Sequence, residues 1–339
     1  MFSNQSVANT PRIVAFGEIL WDMLPTGPKL GGAPVNFLYH ARVMGAEVQA
    51  LTKIGDDQLG RDVVSRLAEL NVPTDFVQIS TTAPTGVVNV KLDADGSPTY
   101  TIVENVAWDE IEVDEQVADK TLRFLSGSSK SAFYFGSLAL RSSCNRKSLE
   151  RAVAKLPPEV MRVCDLNIRP PFYTNEIVIS LLDMADVFKL NDTEAILLDS
   201  LLAGEIPSTL ASLADKSAMG LGDAIQKDPS GTEQILAQWA ENWRKRFGLT
   251  TIILTCGAHG AYLFNRGRVS YAPSVHVKVA DAVGAGDSFS AVCVVGLLSG
   301  IDDQKIVEAA SKRAAYVCSQ TGATPTISAE DADPFKDNL

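Results

Sequence analysis

The sequence has 339 residues, of which 46% are hydrophobic and 21% charged, and its formal net charge is −11. This is the composition of a globular protein that can bury one large core, and an acidic chain without a basic run repels nucleic acid and anionic membranes. No apolar stretch is long enough to span a bilayer and residues 1–10 are polar, so we expect no signal peptide, no membrane partner and a cytoplasmic protein.

Short β-branched runs alternate with amphipathic helical patterns along most of the chain. The expected strands are 12–16, 48–54, 132–135, 162–165, 187–190 and 251–255, and the expected helices are 36–44, 60–70, 147–155, 176–185 and 232–247. This alternation predicts an α/β fold with a doubly wound, mostly parallel sheet flanked by helices.

Two segments interrupt this alternation. Residues 86–103 alternate in polarity around Asp95-Gly96, a hairpin turn signal, and predict a small antiparallel flap joined to the extended stretch 19–24. Residues 201–231 are rich in Ala, Ser, Gly and Asp and predict a surface insertion with some local helix.

The most informative stretch runs from Asp281 to Phe289 and leads into an apolar helix. Gly284, Ala285 and Gly286 would let backbone amides converge at the helix N-terminus and form an anion site. Asp287 beside that site could take a hydroxyl proton during phosphoryl transfer. On spacing alone, the simpler interpretation is favoured, in which Asp287 only supports the helix dipole.

A second constellation lies near the N-terminus. Gly31 and Gly32 precede a proline-initiated helix and permit a ligand to approach the backbone, while Asn36 offers a donor and an acceptor. Asp22 follows the first strand, where open α/β sheets bind ligands, and its carboxylate suits a polyol. A tight turn and a solvated acid explain the same residues without any ligand.

Three further strand ends carry polar residues. Asn191 and Glu194 form a capping box, or they orient hydrated magnesium, and the sequence does not separate the two. Arg169 could reach a phosphate with support from Asp165 or Asn167, or belong to a structural ion pair. The turn 255–260 has glycines against which a nucleotide could lie, although an ordinary β-turn explains them as well.

Several motifs are absent from the sequence. It has no P-loop, no protein-kinase motifs and no G-x-G-x-x-G after the first strand, which argues against a nicotinamide oxidoreductase. Its five cysteines lack CxxC spacing, and three histidines without HExxH argue against a structural metal site.

Taken in order, the stretches 31–36 and 281–289 resemble the two motifs of the ribokinase-like, phosphofructokinase-B type carbohydrate kinases. The usual C-terminal form in that family is Asp-Thr-Thr-Gly-Ala-Gly-Asp, and this sequence has Ala282 and Val283 at the two threonines. The resemblance implies a ribokinase-like kinase domain over 11–325 with lid segments at about 18–32 and 86–108. The insertion 201–231 and the tail 326–339 lie outside the resemblance.

The resemblance implies ATP and Mg²⁺ as cofactors, with K⁺ as the monovalent cation that many members bind. It assigns the catalytic base to Asp287, and the anion hole to Gly284, Ala285 and Gly286. By the same resemblance the sugar site comprises Asp22, Gly31, Gly32, Asn36, Glu104, Asn105 and Arg169. The nucleotide site comprises Asn191, Glu194, Thr255, Gly257, Gly260, Ser319 and Gly322, with Glu194 serving Mg²⁺ through water and Asp281 and Val283 at the K⁺ site.

Within the family, the stretches 17–22, 30–34, 165–169 and 321–325 look like bacterial fructokinases, so D-fructose is the expected substrate and fructose 6-phosphate the expected product. Sugar choice in such enzymes turns on lid residues such as Glu104, Asn105 and Trp108. Alternatives are a kinase of ribose, 2-keto-3-deoxygluconate or a nucleoside, and a non-catalytic sugar-binding sensor. The lid is also the expected surface of a homodimer.

Overall fold

The structure is a computed structural model, and it describes residues 9–92, 98–210, 213 and 221–336. Its main sheet has nine strands in the order β13-β12-β11-β10-β9-β8-β1-β4-β5, and neighbouring strands are parallel except for the pairs β11–β12 and β12–β13, so β12 runs opposite to the others. The strands are β1 Arg12–Phe16, β4 Glu47–Gly55, β5 Val77–Ser80, β8 Ser131–Gly136, β9 Met161–Asp165, β10 Val187–Asn191, β11 Thr251–Thr255, β12 Ala261–Asn265 and β13 Arg268–Ala272.

Helices cover both faces of this sheet. They are α1 Ala33–Val43, α2 Gln58–Glu69, α3 Glu115–Leu125, α4 Ser143–Lys155, α5 Asn175–Met184, α6 Asp192–Leu201, α7 Gly222–Lys227, α8 Pro229–Phe247, α9 Ala285–Ser299 and α10 Asp303–Cys318. Along β1, Val14 and Phe16 enter one core cluster and Ile13 and Ala15 the other. Burial on both faces explains why the parallel strands are apolar without alternation.

The order of the strands locates the site. The chain adds β4 and β5 on one side of β1, then reverses and adds β8, β9, β10 and β11 on the other. Ligands of open α/β sheets bind at the carboxyl ends of the strands near such a reversal. All the expected strands form, and the helices begin one to four residues earlier than the sequence predicts because their caps lie upstream. The N-cap of α2, for example, is Asp57, which accepts from the Gly60 amide at 2.8 Å.

The predicted flap is a separate four-stranded sheet in the order β3-β2-β6-β7. Its strands are β2 Leu20–Leu24, β3 Gly27–Gly31, β6 Gly86–Leu92 and β7 Pro98–Ile102. The expected junction with residues 19–24 is confirmed, because Leu20 pairs with Gly86 at the start of the parallel β2–β6 ladder. The predicted turn at Asp95-Gly96 lies outside the described residues.

The expectation that 201–231 is a surface insertion needs correction for its described part. Leu202, Ile206, Leu210 and Leu221 are buried in the larger core cluster, because they pack in the same cluster as Leu198 of α6 and Trp239 of α8. Apolar residues spread singly among small polar ones gave no periodic signal in the sequence. Residues 211, 212 and 214–220 of this segment lie outside the described residues.

The described part of the C-terminal tail also packs on the domain. The Arg313 guanidinium of α10 donates to the Asp331 carbonyl at 2.7 Å, and Phe335 is buried in the second core cluster. Among the described residues, no helix is both long and apolar enough to cross a membrane. Cys164, Cys256 and Cys293 are buried, while Cys144 and Cys318 are half-buried.

Candidate active site

The two sequence motifs meet at the carboxyl edge of the main sheet. Asn36 of α1 donates from Nδ2 to Asp287 Oδ2 of α9 at 2.8 Å, across 251 residues of chain. Both side chains are buried, with Asp287 at 8% exposure. The structure therefore brings the predicted base, Asp287, into direct contact with Asn36, a predicted sugar-binding residue.

Glycine conformation sets the start of α9. Gly284, the N-cap, is left-handed at φ 80°, and a methyl group there would lie 2.5 Å from Ala323 Cα. No side chain of the described residues caps this first turn. The positive end of the helix dipole therefore lies beside the Asp287 carboxylate, as an anion site requires.

The surroundings of Asp287 raise the pKa of its carboxyl to about 6, and burial is the main cause, followed by repulsion from Asp165. The Asn36 hydrogen bond and the positive charges of Lys189 and Arg169 act in the opposite direction. A carboxyl with this pKa is mostly ionised at neutral pH and is still basic enough to accept a proton.

Behind Asp287 lies an ion pair that sequence reasoning missed in part. Lys189 Nζ of β10 donates to Asp165 Oδ1 of β9 at 3.0 Å, and both side chains are buried. Burial is the largest single influence and lowers the pKa of the Lys189 ammonium, but the carboxylates of Asp165, Glu194 and Asp287 together outweigh it, so this pKa is raised. The sequence indicated Asp165 as a supporting residue and gave no signal for Lys189.

Glu18 is a second residue that the sequence did not single out. Its Oε1 accepts from the Ala33 amide at the start of α1 at 3.2 Å, and burial raises the pKa of its carboxyl to about 7. Gly32 has φ 114°, and a methyl group there would lie 2.5 Å from the Glu18 carbonyl oxygen. Glu18 and Gly32 thus fix the entry into α1, which carries Asn36.

The other predicted sugar residues lie at the base of the lid or at a strand end. A methyl group at Gly31 would meet Asp22 Oδ2 at 2.6 Å, so the Asp22 carboxylate lies over this glycine, and partial burial raises its pKa. Arg169 is exposed, and its charge lowers the pKa of both Glu18 and Asp287. Glu104 and Asn105 are exposed beyond the end of β7.

Trp108, which the sequence suggested as a lid selector of the sugar, needs correction. It is fully buried, and the Arg141 guanidinium stacks on its ring at 3.9 Å. Arg141 also forms two hydrogen bonds with Asp109, at 2.7 and 2.8 Å. Trp108 therefore supports the base of the lid and does not line an open pocket.

At the carboxyl end of β10, the capping box is confirmed. Asn191 Oδ1 accepts from the Glu194 amide at 2.9 Å, and Glu194 Oε2 accepts from the Asn191 amide at 2.9 Å. Glu194 Oε1 accepts from the Ile168 amide at 2.7 Å, and burial raises the pKa of its carboxyl. These bonds establish a structural role for Glu194, and its magnesium role remains a prediction.

The predicted nucleotide residues lie further along the same edge. Thr255 ends β11, and Gly257 and Gly260 follow with φ 52° and 89°. A methyl group at Gly260 would collide with the Ala272 carbonyl oxygen, so this glycine is required by packing against β13. Beside the turn, a cavity of about 650 Å³ is lined by Ala258, His259, Tyr262, Tyr271 and nine other residues of α7, α8 and the chain after β13.

The last group connects α10 to the start of α9. Asp281 accepts from the Val283 amide through Oδ1 and from the Gly322 amide through Oδ2, each at 3.0 Å. Ser319 ends α10, and Gly322 is left-handed at φ 84°. Asp281 thus ties the anion-hole loop to the turn after α10, while Val283 is half exposed. Groups of three or more acidic, histidine or cysteine side chains suited to a metal are absent from the described residues.

The sequence matches a known protein family along most of its length. The model of the pfkB family carbohydrate kinases matches residues 26–330, which is most of the chain and contains both glycine motifs. The chain belongs to the PfkB family of carbohydrate kinases. The family assignment establishes it as a carbohydrate kinase.

Relatives of this PfkB kinase include plant and bacterial proteins. It is 26% identical to "Probable fructokinase-5" of Arabidopsis thaliana over 346 residues, covering 95% of both chains. It is also 26% identical to a fructokinase of Klebsiella pneumoniae over 341 residues, covering 97% of this chain and 98% of the relative.

Two solved structures share the fold of this kinase. A 2-dehydro-3-deoxygluconokinase from Thermotoga maritima has a TM-score of 0.76 at 19% identity, covering 96% of this chain and 99% of that one. A fructokinase from Xylella fastidiosa with bound ATP has a TM-score of 0.68 at 21% identity, covering 96% and 98%. The predicted ribokinase-like fold with a small lid sheet is confirmed.

Proposed function

We propose that this PfkB kinase transfers the γ-phosphoryl group of ATP to D-fructose and forms fructose 6-phosphate. The observation that carries the proposal is the buried Asp287 carboxylate, held by Asn36 at 2.8 Å beside the glycine-initiated N-terminus of α9. The fructokinase names of relatives that cover nearly the whole chain favour fructose among the sugars.

The proposed step needs one base and one anion site. As the sugar hydroxyl attacks the γ-phosphorus, its proton passes to the Asp287 carboxylate and a new phosphorus–oxygen bond forms. The bond between the γ-phosphorus and the oxygen bridging to the β-phosphate breaks, and ADP leaves. Gly284, Ala285 and Gly286 stabilise the charge on the migrating group through their amides and the helix dipole.

Sugar binding is assigned to Asp22, Gly31, Gly32, Asn36, Glu104, Asn105 and Arg169. Asp22 and Gly31 lie on adjacent lid strands, and Asn36 contacts the base, so a sugar between them would present a hydroxyl to Asp287. Carboxylate and amide groups suit the paired donors and acceptors of a polyol.

The triphosphate and its magnesium are assigned to the edge from Asn191 to Thr255. Both oxygens of Glu194 already accept a backbone amide, so this carboxylate fits magnesium held through water and brought in with ATP. Gly257, Gly260, Ser319 and Gly322 complete the proposed nucleotide site. K⁺ at Asp281 and Val283 stays a prediction, since both Asp281 oxygens have amide partners without it.

The lid and its partner are also part of the proposal. Among the lid residues whose side chains the structure describes, two apolar ones are exposed, Met23 at 36% and Tyr100 at 57%, and the strand register places them on opposite faces. A small sheet with an exposed apolar side chain on each face gains stability by packing over bound sugar with one face and against a second lid with the other, so a homodimer through the lid is proposed. A cytoplasmic location remains a prediction from the sequence.

A second candidate is a kinase of a different small substrate. The neighbour from Thermotoga maritima is titled a 2-dehydro-3-deoxygluconokinase, and Arg169 could pair with the carboxylate of such a keto-acid. Ribose and nucleosides are further alternatives in the same family. The non-catalytic sensor is disfavoured because it would have no use for a buried base beside an anion hole.

The sugar panel that tests the proposal measures kcat/KM with ATP for fructose, ribose and 2-keto-3-deoxygluconate. We expect fructose to exceed ribose by at least tenfold, because a pocket shaped for a ketohexose loses contacts with a pentose. Higher kcat/KM for the keto-acid would instead assign Arg169 to its carboxylate. Activity on none of the three substrates would contradict the proposed phosphorylation of D-fructose.

The pH dependence follows from the pKa of Asp287. Because the base must be ionised, kcat/KM should rise with pH through a midpoint near 6, where the pKa of Asp287 lies, and level off above it. Glu18, with a pKa of about 7, is the competing group. Glu18→Gln should leave the midpoint unchanged or move it lower, whereas disappearance of the acid limb in this variant would assign the titration to Glu18.

Sugar and nucleotide binding should separate in two variants. Asp22→Ala and Asn36→Ala each remove hydrogen bonds to sugar hydroxyls, so we expect sugar affinity to fall about tenfold or more with nucleotide affinity within about threefold. Asn36→Ala should also move the acid limb of kcat/KM to higher pH, because it removes the hydrogen bond that lowers the pKa of Asp287. Isothermal titration with each ligand checks the first expectation, and equal losses would show a structural role.

A further inference from the structure

The proposed function leaves the buried pair of Lys189 and Asp165 without a role. Lys189 and Asp165 are cross-strand partners in the register of β10 and β9, and only 9% and 1% of their side chains are exposed. Burying two charges carries a desolvation cost that a well-packed apolar pair avoids. A pair retained at the carboxyl edge of the sheet, directly behind the proposed base, therefore calls for an explanation beyond stability.

Contacts from two further elements fix the orientation of this pair. Asp165 Oδ1 accepts from Lys189, while Oδ2 accepts from the Tyr134 hydroxyl of β8 at 3.2 Å and from the Ser290 hydroxyl of α9 at 2.8 Å. The Ser290 hydroxyl also lies 2.9 Å from the Gly286 carbonyl oxygen. The carboxylate is thus held on three sides, and its position is tied to the first turns of α9.

The ammonium end of the pair faces the proposed anion hole. A methyl group built at Gly286 would lie 3.2 Å from Lys189 Nζ, and this is the nearest contact that a side chain there would make. The positive charge lies against the second glycine of the motif, and the negative charge lies behind it. The ion pair is therefore a fixed dipole with its positive end toward the N-terminus of α9.

The other buried lysine of the main sheet shows a different arrangement. Lys53 of β4 donates to the Glu110 carbonyl at 3.0 Å and pairs with Glu112, whose side chain is 74% exposed. Its ammonium interacts with Glu110 and Glu112, in the chain that leads into α3. Neither of these contacts involves a glycine or a helix N-terminus. Lys53 is accordingly a matched control for a buried lysine that serves packing.

We propose that Lys189 is a positioning residue for phosphoryl transfer, whose ammonium, fixed by Asp165, supplies positive charge to the anion hole beneath Gly286. This inference rests on the proposed function. The negative charge of the phosphoryl group in transit is stabilised by the amides of the hole and by this cation, in a region from which water is largely excluded. Lys189 also favours the ionised form of Asp287.

The charged groups that face Asp287 determine how a variant would titrate. Asp165 and Glu18 repel the Asp287 carboxylate, and Lys189 and Arg169 attract it. Removing Lys189 alone should raise the pKa of Asp287, because repulsion by Asp165 remains. Removing both members of the pair should leave this pKa at or below its wild-type value while the cation of the anion hole is still lost.

The test compares Lys189→Met, the double variant Asp165→Asn/Lys189→Met, and the control Lys53→Met. The double variant is included because an unpaired buried Asp165 could prevent the single variant from folding. We expect kcat to fall about 10²-fold in both Lys189 variants with the KM for sugar within about threefold, the effect of losing one anion-hole group. The acid limb should move to higher pH by roughly half a unit or more only in the single variant.

Two outcomes overturn the inference while leaving the proposed function intact. One is a folded double variant with kcat within about threefold of Lys53→Met, and the other is a loss confined to KM. If wild type shows no sugar-dependent turnover, the proposed function fails, and a binding measurement decides the inference by itself. ADP with aluminium fluoride, a stand-in for the phosphoryl group in transit, should bind wild type and Lys53→Met at least tenfold more tightly than ADP alone.

The double variant should lose that tightening, since its anion hole lacks the cation. Equal tightening in the double variant, or none in wild type, would contradict a cation-supported anion hole beneath Gly286.

Discussion

Asp287→Asn is expected to reduce kcat by ~10²–10⁴-fold, the range for loss of a positioned base. The asparagine oxygen can still accept from Asn36, whose bond to Oδ2 is 2.8 Å long, so the helix start should be preserved. Removing a buried charge should not lower the thermal midpoint, since burial is what raises the pKa of this carboxyl. Steady-state kinetics, a thermal melt and nucleotide titration measure the three quantities.

A matched control for this variant lies at the start of the next helix. Asp303 of α10 is as buried as Asp287, at 7% exposure, and it accepts from Asn265 at 2.8 Å far from the glycine motif. Asp303→Asn should leave kcat within about twofold of wild type. Near-normal turnover by a folded Asp287→Asn protein would remove Asp287 from the catalytic role.

Gly284→Ala is expected to cost both stability and turnover. The left-handed backbone at φ 80° disfavours alanine by about 1–2 kcal/mol, and the methyl group would collide with Ala323 at 2.5 Å, adding about 1–3 kcal/mol. Relief of that collision would move the first turn of α9, so kcat should fall about 10²-fold as the anion-hole amides and Asp287 lose their alignment. Urea unfolding and kinetics under saturating substrates check the two expectations.

Gly300 provides the control for the backbone effect. It ends the same helix with φ 69°, and a methyl group there meets nothing within 4 Å. Gly300→Ala should therefore lose only the backbone contribution of about 1–2 kcal/mol and retain kcat. If the two variants lose kcat equally, the close approach of Gly284 to Ala323 has no special importance for the site.

The features that were predictable from sequence are those encoded locally. The strand 12–16 is a continuous apolar run because both of its faces are buried, and the lid follows from alternation around Asp95-Gly96. The sequence indicates Asp287 and Asn36 in two separate motifs, because glycines at the start of a helix form a recognisable sequence pattern. Their mutual hydrogen bond was not predictable, since 251 residues separate them.

What the sequence did not predict depends on packing between distant segments. The Lys189–Asp165 pair arises from the register of two parallel strands, and a lone lysine inside an apolar strand carries no motif. Glu18 becomes part of the site because the chain after β1 turns back over Gly32 and Ala33. Leu210 and Leu221 are likewise buried in a core cluster that also contains residues of α6 and α8. The composition of 201–231 does not predict this packing.

Identification of the phosphorylated product decides whether this kinase uses D-fructose and whether Asp287 is its base. Purified protein incubated with ATP, magnesium and D-fructose is followed by ³¹P NMR, with Asp287→Asn and a reaction lacking sugar as controls. We expect fructose-dependent conversion of ATP to ADP with stoichiometric appearance of fructose 6-phosphate, and at least ~10²-fold slower conversion by the variant. ATP consumption that is independent of sugar, or equal conversion by Asp287→Asn, would contradict this expectation.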